Sequence, residues 1–476
     1  MSDASLIPNA PRTRLTALIV ATALFMQNLD GTVVATALPT MARAFDSDPL
    51  HMNVALTSYL LSLAVFIPVS GWMADRYGAR SVFRAAIGVF TLGSILCGAA
   101  TSLPFLVAAR IVQGIGGAMM VPVGRLVLLR TVAKSELVAA MAWLTTPALI
   151  GPVVGPPLGG FLVTYADWRW IFYVNVPIGL AGMALVTRFV PDLREAAPGR
   201  LDAWGLLFSG AALACLMFGF ETAGRGMLPA PTVMALILAG LIMGGLYLAH
   251  ARRRPDPLLD LGLMRIPTFA VSVTAGSLFR IGVGAIPFLL PLMLQLGFGQ
   301  SAVQSGMITF ASAVGAIVMK PAAQWALRVA GFRLVLGWNG ALAAVLLGAM
   351  AFFRPSWPLA VIYVLLILGG FLRSLQFTAF NTIAYADVPR ERMSAATSLY
   401  STLQQLSLTL GITVGAAALE FATTASGLTT PSLGAFTIAF LTVAAFSLLA
   451  TPLALRLPRD AGAEMSGHRT RLTQGR

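Results

Sequence analysis

Along the chain, apolar stretches of about 18 residues or more alternate with short polar ones that hold nearly all the charge, a pattern that reads as membrane-spanning helices. Fourteen are predicted, over 15–38, 51–73, 81–100, 103–129, 136–163, 168–190, 201–220, 229–249, 267–296, 302–328, 332–353, 357–384, 392–420 and 433–455. Several exceed the ~20 residues that a bilayer requires, which predicts tilt or kinks rather than extra crossings. The fold class is an all-α polytopic membrane protein with polar tails at 1–14 and 457–476. The polar start has no small-residue cleavage site, so the first helix is expected to be retained rather than removed as a signal peptide.

Composition agrees with this reading. The chain is 57% hydrophobic and 11% charged, against about 25% charged in ordinary soluble domains. The net charge of +14 takes its meaning from where it falls. An even number of crossings puts both termini on one side. With that side cytoplasmic, 23 Arg and Lys residues fall on inner segments and four on outer ones, the bias that marks a cytoplasmic face. The basic charge therefore sets topology and meets anionic lipid; it is not a nucleic-acid footprint. Five basic residues remain, and all lie inside predicted helices: Arg110, Arg125, Arg280, Lys320 and Arg373. Cys97 and Cys215 sit in apolar runs, His51, His250 and His468 near loops, and no cluster has metal-ligand spacing. A G-x-x-x-x-G-K-[ST] phosphate loop is absent too.

The chain repeats weakly at an offset of 253. "ADRYGAR" (74–80) lies over "LRVAGFR" (327–333), Pro68 over Pro321, Trp72 over Trp325, and Gly116-Gly117 over Gly369-Gly370. Two six-helix halves, 15–190 and 267–456, are expected, with a site between them as in many secondary transporters. The helices from 201 to 249 match neither half, so the segment 191–266 reads as a linker carrying two inserted helices.

Four stretches carry candidate chemistry. In "GWMADRYGARSVF" (71–83), Gly71 permits close packing and Gly78 a tight turn, while Asp75 can pair with arginines such as Arg76 and Arg80 or with a helix N-terminus. The cluster reads either as a gating latch or as an ordinary cytoplasmic turn. In "ARIVQGIGGAMMVPVGR" (109–125), Arg110, Gln113, Gly114 and Gly117 share one helix face, and an intramembrane arginine is a functional candidate or a structural anchor. In "ALIGPVVGPPLGGFL" (148–162), Gly151, Gly155 and Gly159 make a close-packing stripe beside Pro152 and Pro156, which predicts a kinked helix. Gly411 and Gly415 form the counterpart, without prolines. In "MQNLDGTVVATALP" (26–39), Asp30 stands in the first helix at a depth similar to Arg110. The two are expected to be partners, as a proton-exchanging pair or as a static ion pair.

These stretches, in this order, resemble the Major Facilitator Superfamily, and in particular its fourteen-helix drug:proton antiporter branch (DHA2). "LDGTVVATALP" and "WRWIFYVNVPIG" (168–179) look like markers of that branch, and "GPVVGPPLGG" like its antiport motif. The resemblance covers nearly the whole chain. It implies a monomeric, proton-driven exporter of small molecules in the bacterial cytoplasmic membrane, contacting lipid, with the proton gradient as energy source and no cofactor. It also implies that the first and fourth helices of each half line the cavity, where Asp30, Arg110, Arg280 and Arg373 fall. Asp30 and Arg110 are then assigned to proton coupling, Gly71, Asp75, Arg76, Gly78 and Arg80 to gating, and Gln113, Arg125, Arg280, Lys320 and Arg373 to substrate.

Charge complicates the choice of substrate. Pumps for cationic drugs present acidic side chains, whereas Asp30 here faces five deep cations. An unpaired arginine at mid-bilayer costs ~2.5–3.5 kcal/mol, which an organic anion such as citrate or a metal-citrate chelate would relieve. Backbone carbonyls and aromatic faces would serve as well. Lys320, where the repeat has Ile67, is either a snorkelling residue or a movable cation on the substrate path. A transporter-like sensor is a further alternative, and no nucleophile–base pair suggests an enzyme.

Overall fold

The computed structural model describes residues 10–46, 52–191, 199–223, 228–428 and 430–468. Inside the helices the side chains of Pro152 and Pro156, among others, lie outside the described set, as do the tail residues Arg469, Arg471 and Arg476. Every element described is helical.

The first group begins with α1 (Ala10–Ala44) and α2 (Asn53–Phe66), which passes through one 3-10 turn (Ile67–Val69) into α3 (Ser70–Tyr77). It continues with α4 (Ala79–Gly98), α5 (Leu103–Thr131), α6 (Leu137–Tyr165) and the short α7 (Trp170–Tyr173), which runs into α8 (Asn175–Phe189). Next come α9 (Ala203–Thr222) and α10 (Ala230–Ala251). The second group comprises α11 (Pro267–Leu292), α12 (Ala302–Val318), α13 (Ala323–Leu334), α14 (Gly340–Ala349), α15 (Leu359–Ile383), α16 (Met393–Ala425) and α17 (Leu433–Ala454), with one turn, α18 (Ala463–Ser466), after it. Twelve described spans are long and apolar enough to cross a membrane. One of these, Gln304–Phe352, is 49 residues long and contains the break at Gly331 described next. The apolar 29-residue α6, partly outside the described set, is not among the twelve.

The repeat is built into the backbone. Gly78 has φ 88° and Gly331 has φ 71°, the left-handed side of the map that disfavours a Cβ. Pro68 and Pro321 each sit second in a 3-10 turn, over Ile67–Val69 and Lys320–Ala322. Both prolines lack the N–H that an unbroken α-helix would use there. At Gly331 a Cβ would also come within 2.9 Å of the His468 ring. Gly331→Ala is therefore expected to cost about 1–3 kcal/mol, read as a lower midpoint of thermal unfolding in detergent.

Packing follows the small residues. α1 lies on α6, α4 on α5, and α2 on α5; in the second group α11 lies on α16 and α17, and α12 on α15. A Cβ on Gly151 would meet the Leu29 backbone nitrogen at 2.9 Å, so the predicted stripe seats α6 on α1, with Gly155 and Gly159 buried along the same helix. Gly411 seats α16 on Ile281 of α11 in the same way. α6 runs from Leu137 to Tyr165 as one continuous helix.

The α9–α10 hairpin touches both groups, because α9 packs on α2 and on α16. Leu213 and Met217 join Ala64 and Leu406 there, and Thr413 Oγ1 donates to the Phe220 carbonyl at 2.7 Å. Asp202 caps α9 by accepting from the Gly205 N–H at 2.9 Å, and His250 Nε2 lies 2.8 Å away. Burial pushes the Asp202 carboxyl up, but the bonds from Gly205, His250 and Leu258 outweigh it and hold the group below the ordinary carboxylate value. Past α17, Met465 is buried and His468 Nδ1 lies 2.9 Å from the Arg328 carbonyl. Glu464 meets Lys134 of the first group at 3.1 Å, an exposed pair that contributes little.

Candidate functional site

Asp30 enters from the middle of α1 and is 1% exposed. Arg110 Nη1, from α5, donates to Asp30 Oδ2 at 2.6 Å and to Gln113 Oε1 at 2.7 Å. Its Nε donates to the Ala55 carbonyl at 3.0 Å, and its guanidinium carbon lies 4.2 Å from the Tyr59 ring centroid. Gln113 Nε2 donates to Asp30 Oδ1 at 2.8 Å. Two residues that the sequence did not single out complete the network. Asn175, first residue of α8, donates to Asp30 Oδ1 at 3.2 Å, and Ser94 Oγ of α4 accepts from Gln113 at 2.8 Å and Asn175 at 3.3 Å. Asn175 lay inside the quoted "WRWIFYVNVPIG", but only packing shows what it meets. The result is one carboxylate and one guanidinium, sealed from water among five helices.

Arg125 and Arg280 form a second cluster across the two groups. Arg125 of α5 donates to Tyr385 Oη at 3.2 Å, Ser401 Oγ at 3.5 Å and Gln404 Oε1 at 3.3 Å, all in the second group. Arg280 of α11 donates to the Tyr400 hydroxyl, and to Asn381 Oδ1 at 3.4 Å. Both guanidiniums lie over the Tyr400 ring, at 5.3 Å and 4.8 Å from its centroid. Arg373 donates to Ser312 Oγ. Gly276 and Gly369, each four residues before an arginine, clear space for the folded-back guanidinium: a Cβ would come within 2.8 Å and 2.9 Å of it. Among the described residues, Arg125, Arg280 and Arg373 have no carboxylate partner. Their partners are neutral oxygens and rings, the arrangement that sequence reasoning left open beside an anion. Lys320 is 9% exposed, with Nζ 3.3 Å from Thr378 Oγ1. Thr378 occupies the repeat position of Arg125, so the two halves place their cation on different elements. At that exposure Lys320 does not snorkel to a surface.

The loop cluster ties the groups together at the arginine-rich end. Asp75 accepts from Arg130 Nη2 at 2.8 Å and from the Ser394 hydroxyl at the start of α16. Ser398 Oγ donates to the Ile67 and Pro68 carbonyls at 3.1 and 2.7 Å. Gly71 makes this approach possible, since a Cβ there would stand 2.7 Å from the Ser394 carbonyl oxygen. Asp75 pairs with an arginine, as the sequence allowed, and that arginine is Arg130 rather than Arg76 or Arg80. Arg80 donates to the Thr187 carbonyl of its own group, and Arg76 lines a shallow groove with Trp72, Tyr77, Gly199, Arg200 and Leu201. Arg130 lies on the same end of α5 as Asp75 lies of α3, which the reading by sequence neighbours overlooked.

A family model described as Major Facilitator Superfamily matches residues 20–412. The chain belongs to the Major Facilitator Superfamily. It is a transporter, not an enzyme, and a multi-pass membrane protein. Relatives match it over most of their length. It is 40% identical over 406 residues to "Putative multidrug resistance protein MdtD" of Pectobacterium carotovorum subsp. carotovorum (strain PC1), covering 85% of this chain and 87% of that one. It is 39% identical over 410 residues to the protein of the same description from Citrobacter koseri, with 86% of each covered. Among solved structures, the human organic anion transporter MFSD10 (TETRAN) superposes with a TM-score of 0.68 at 16% identity, covering 93% of this chain and 99% of that one. The proton:xylose symporter XylE bound to 6-bromo-6-deoxy-D-glucose gives 0.65 at 14%, covering 96% and 99%. At such identities the likeness shows the superfamily fold alone.

Proposed function

We propose that this superfamily member is a proton-coupled exporter of small molecules, of the multidrug-efflux type, working by alternating access in a bacterial cytoplasmic membrane. Asp30 carries the proton and Arg110 holds its charge between cycles; the chain works as a monomer, with the proton gradient as its energy source and no cofactor. The chain crosses the bilayer fourteen times in this reading, with both termini and the Asp75 cluster on the cytoplasmic side. The observation that carries it is the charge-neutral Asp30–Arg110 pair, fully buried in one half. The curated relatives described as multidrug resistance proteins support the cargo class.

A second reading keeps the fold and the coupling but makes the cargo an organic anion, citrate-like or its metal chelate. It is favoured by Arg125 and Arg280, which share Tyr400 between the halves with no acidic partner among the described residues.

Proteoliposomes under an imposed pH gradient test both. Gradient-driven transport is expected for the wild type and is expected to vanish in Asp30→Asn, while exchange of cargo for cargo without a gradient persists. Retained gradient-driven transport in Asp30→Asn would remove the proton assignment. Transport confined to cations in a panel of cationic, neutral and anionic compounds would exclude the anion reading.

A further inference from the structure

We propose that Asn175 is a further proton-coupling residue: its side-chain amide donates to Asp30 when the carboxylate is ionised and turns over to accept from it when Asp30 is protonated. The proposal rests on the reading of Asp30 as the proton carrier.

Its starting point is an unmatched atom. Asn175 is fully buried, and among the described residues its Oδ1 has no hydrogen-bond partner, which is costly for a buried carbonyl-type oxygen. Its Nδ2 meanwhile makes two long bonds, 3.2 Å to Asp30 Oδ1 and 3.3 Å to Ser94 Oγ. So the amide is arranged for a carboxylate, with an acceptor in reserve.

Protonation changes what Asp30 needs. A carboxylic acid has an O–H donor that a carboxylate lacks, and the surroundings are rich in donors. Arg110 can only donate. Gln113 faces Asp30 with its nitrogen, and its Oε1 already accepts from Arg110 at 2.7 Å and faces the Cys97 thiol at 3.6 Å. Ser94 Oγ already accepts from two amides. The other titratable groups facing the pair are Tyr59 and Cys97. The Tyr59 hydroxyl reaches toward Gly117, where a Cβ would stand 3.1 Å from it. Tyr59 Oη and Gln27 Oε1 are also buried and unpartnered, but neither has a hydrogen bond into the network, whereas Asn175 is already joined to Asp30.

A half-turn about the Asn175 Cβ–Cγ bond exchanges Oδ1 for Nδ2. The Asp30 O–H then donates to Oδ1, and the Ser94 hydroxyl can donate to the same oxygen instead of accepting. No bond other than the Asp30 O–H forms or breaks, and its proton comes from the bulk. The amide NH2 now faces the side that Oδ1 occupied and needs an acceptor there. The protonation of Asp30 is thereby passed to α8 as a demand for a new partner. Asn175 is well placed to pass it on, because it opens α8 directly after Val174, the one residue between α7 and α8.

Infrared difference spectroscopy of the purified protein between acid and alkaline pH tests this without any cargo. The carboxylic C=O band that is lost in Asp30→Asn belongs to Asp30. In Asn175→Leu, which keeps the bulk and removes the acceptor, that band is expected at higher wavenumber, as for an acid whose O–H has lost its partner. An Asp30 band at the wild-type position in Asn175→Leu would overturn the role of Asn175 and leave the proton assignment standing. No Asp30 band at any pH would overturn both. Asn175→Ala gives the same readout should the leucine variant not fold, and Asn175→Gln, which retains an amide, is expected to move the band back toward its wild-type position.

Discussion

Arg110→Ala is expected to destabilise the protein by about 3–5 kcal/mol, the cost of leaving one member of a buried ion pair without the other. The substitution strands Asp30, which is 1% exposed, and removes the guanidinium from the Tyr59 face and the Ala55 carbonyl. Thermal unfolding in detergent measures the loss. The second half of the expectation separates stability from function. Adding Asp30→Asn to Arg110→Ala removes the stranded charge, so most of the lost stability should return. Transport driven by a pH gradient should not. If the double variant is as unstable as Arg110→Ala alone, the arginine acts through packing rather than through charge.

Gly71→Val should break transport without breaking either half. Its side chain would have to enter the 2.7 Å gap to the Ser394 carbonyl oxygen, and backbone on both sides cannot give way cheaply. Overpacking of this kind costs about 1–3 kcal/mol. The neighbours of Gly71 here belong to the other half, so that cost falls on the joined arrangement rather than on the folding of α3 or α16. The corresponding shift is roughly 5- to 150-fold toward the separated arrangement. A thiol placed at Ser398, with Cys215 replaced, reports it. Labelling from the arginine-rich side should rise in Gly71→Val while the unfolding midpoint stays close to wild type. Unchanged labelling would mean that the contact around Asp75 and Ser394 does not hold the two halves together.

Much of the architecture was legible because it rests on local signals. Apolar runs identified the spans, and a proline or a left-handed glycine acts on its own backbone, which is why Pro68 and Pro321, like Gly78 and Gly331, repeat in structure as they do in sequence. Asp30 and Arg110 were legible as partners for a related reason. Few polar residues share that depth in the first half, so each had little choice. The rest depended on which distant surfaces meet. Asn175 and Ser94 are unremarkable in sequence until α8 and α4 bring them to one carboxylate. Asp75 chose Arg130 over the nearer Arg76 and Arg80 because α3 and α5 end side by side, whereas its sequence neighbours face away. For the arginines of the second half the sequence left an anion open beside carbonyls and aromatic faces; hydroxyls, an amide and rings from α12, α15 and α16 meet them, and no spacing along the chain announces those.

The α9–α10 hairpin has a mechanical consequence. α9 rests on α2 with one side and on α16 with another, and these helices belong to different halves. Any change in the angle between the halves must make α9 slide on at least one of them. Little on it would resist sliding: Gly210 lies against Val65 of α2, and α16 holds α9 by the hydrogen bond from Thr413 to the Phe220 carbonyl. Asp202, held by Leu258 and His250, fastens the end of the hairpin to its own connecting segments rather than to either half. In the proposed alternating-access cycle the hairpin would serve as a bearing between the halves, and lengthening the segment around residue 256 should loosen it before it disturbs either bundle.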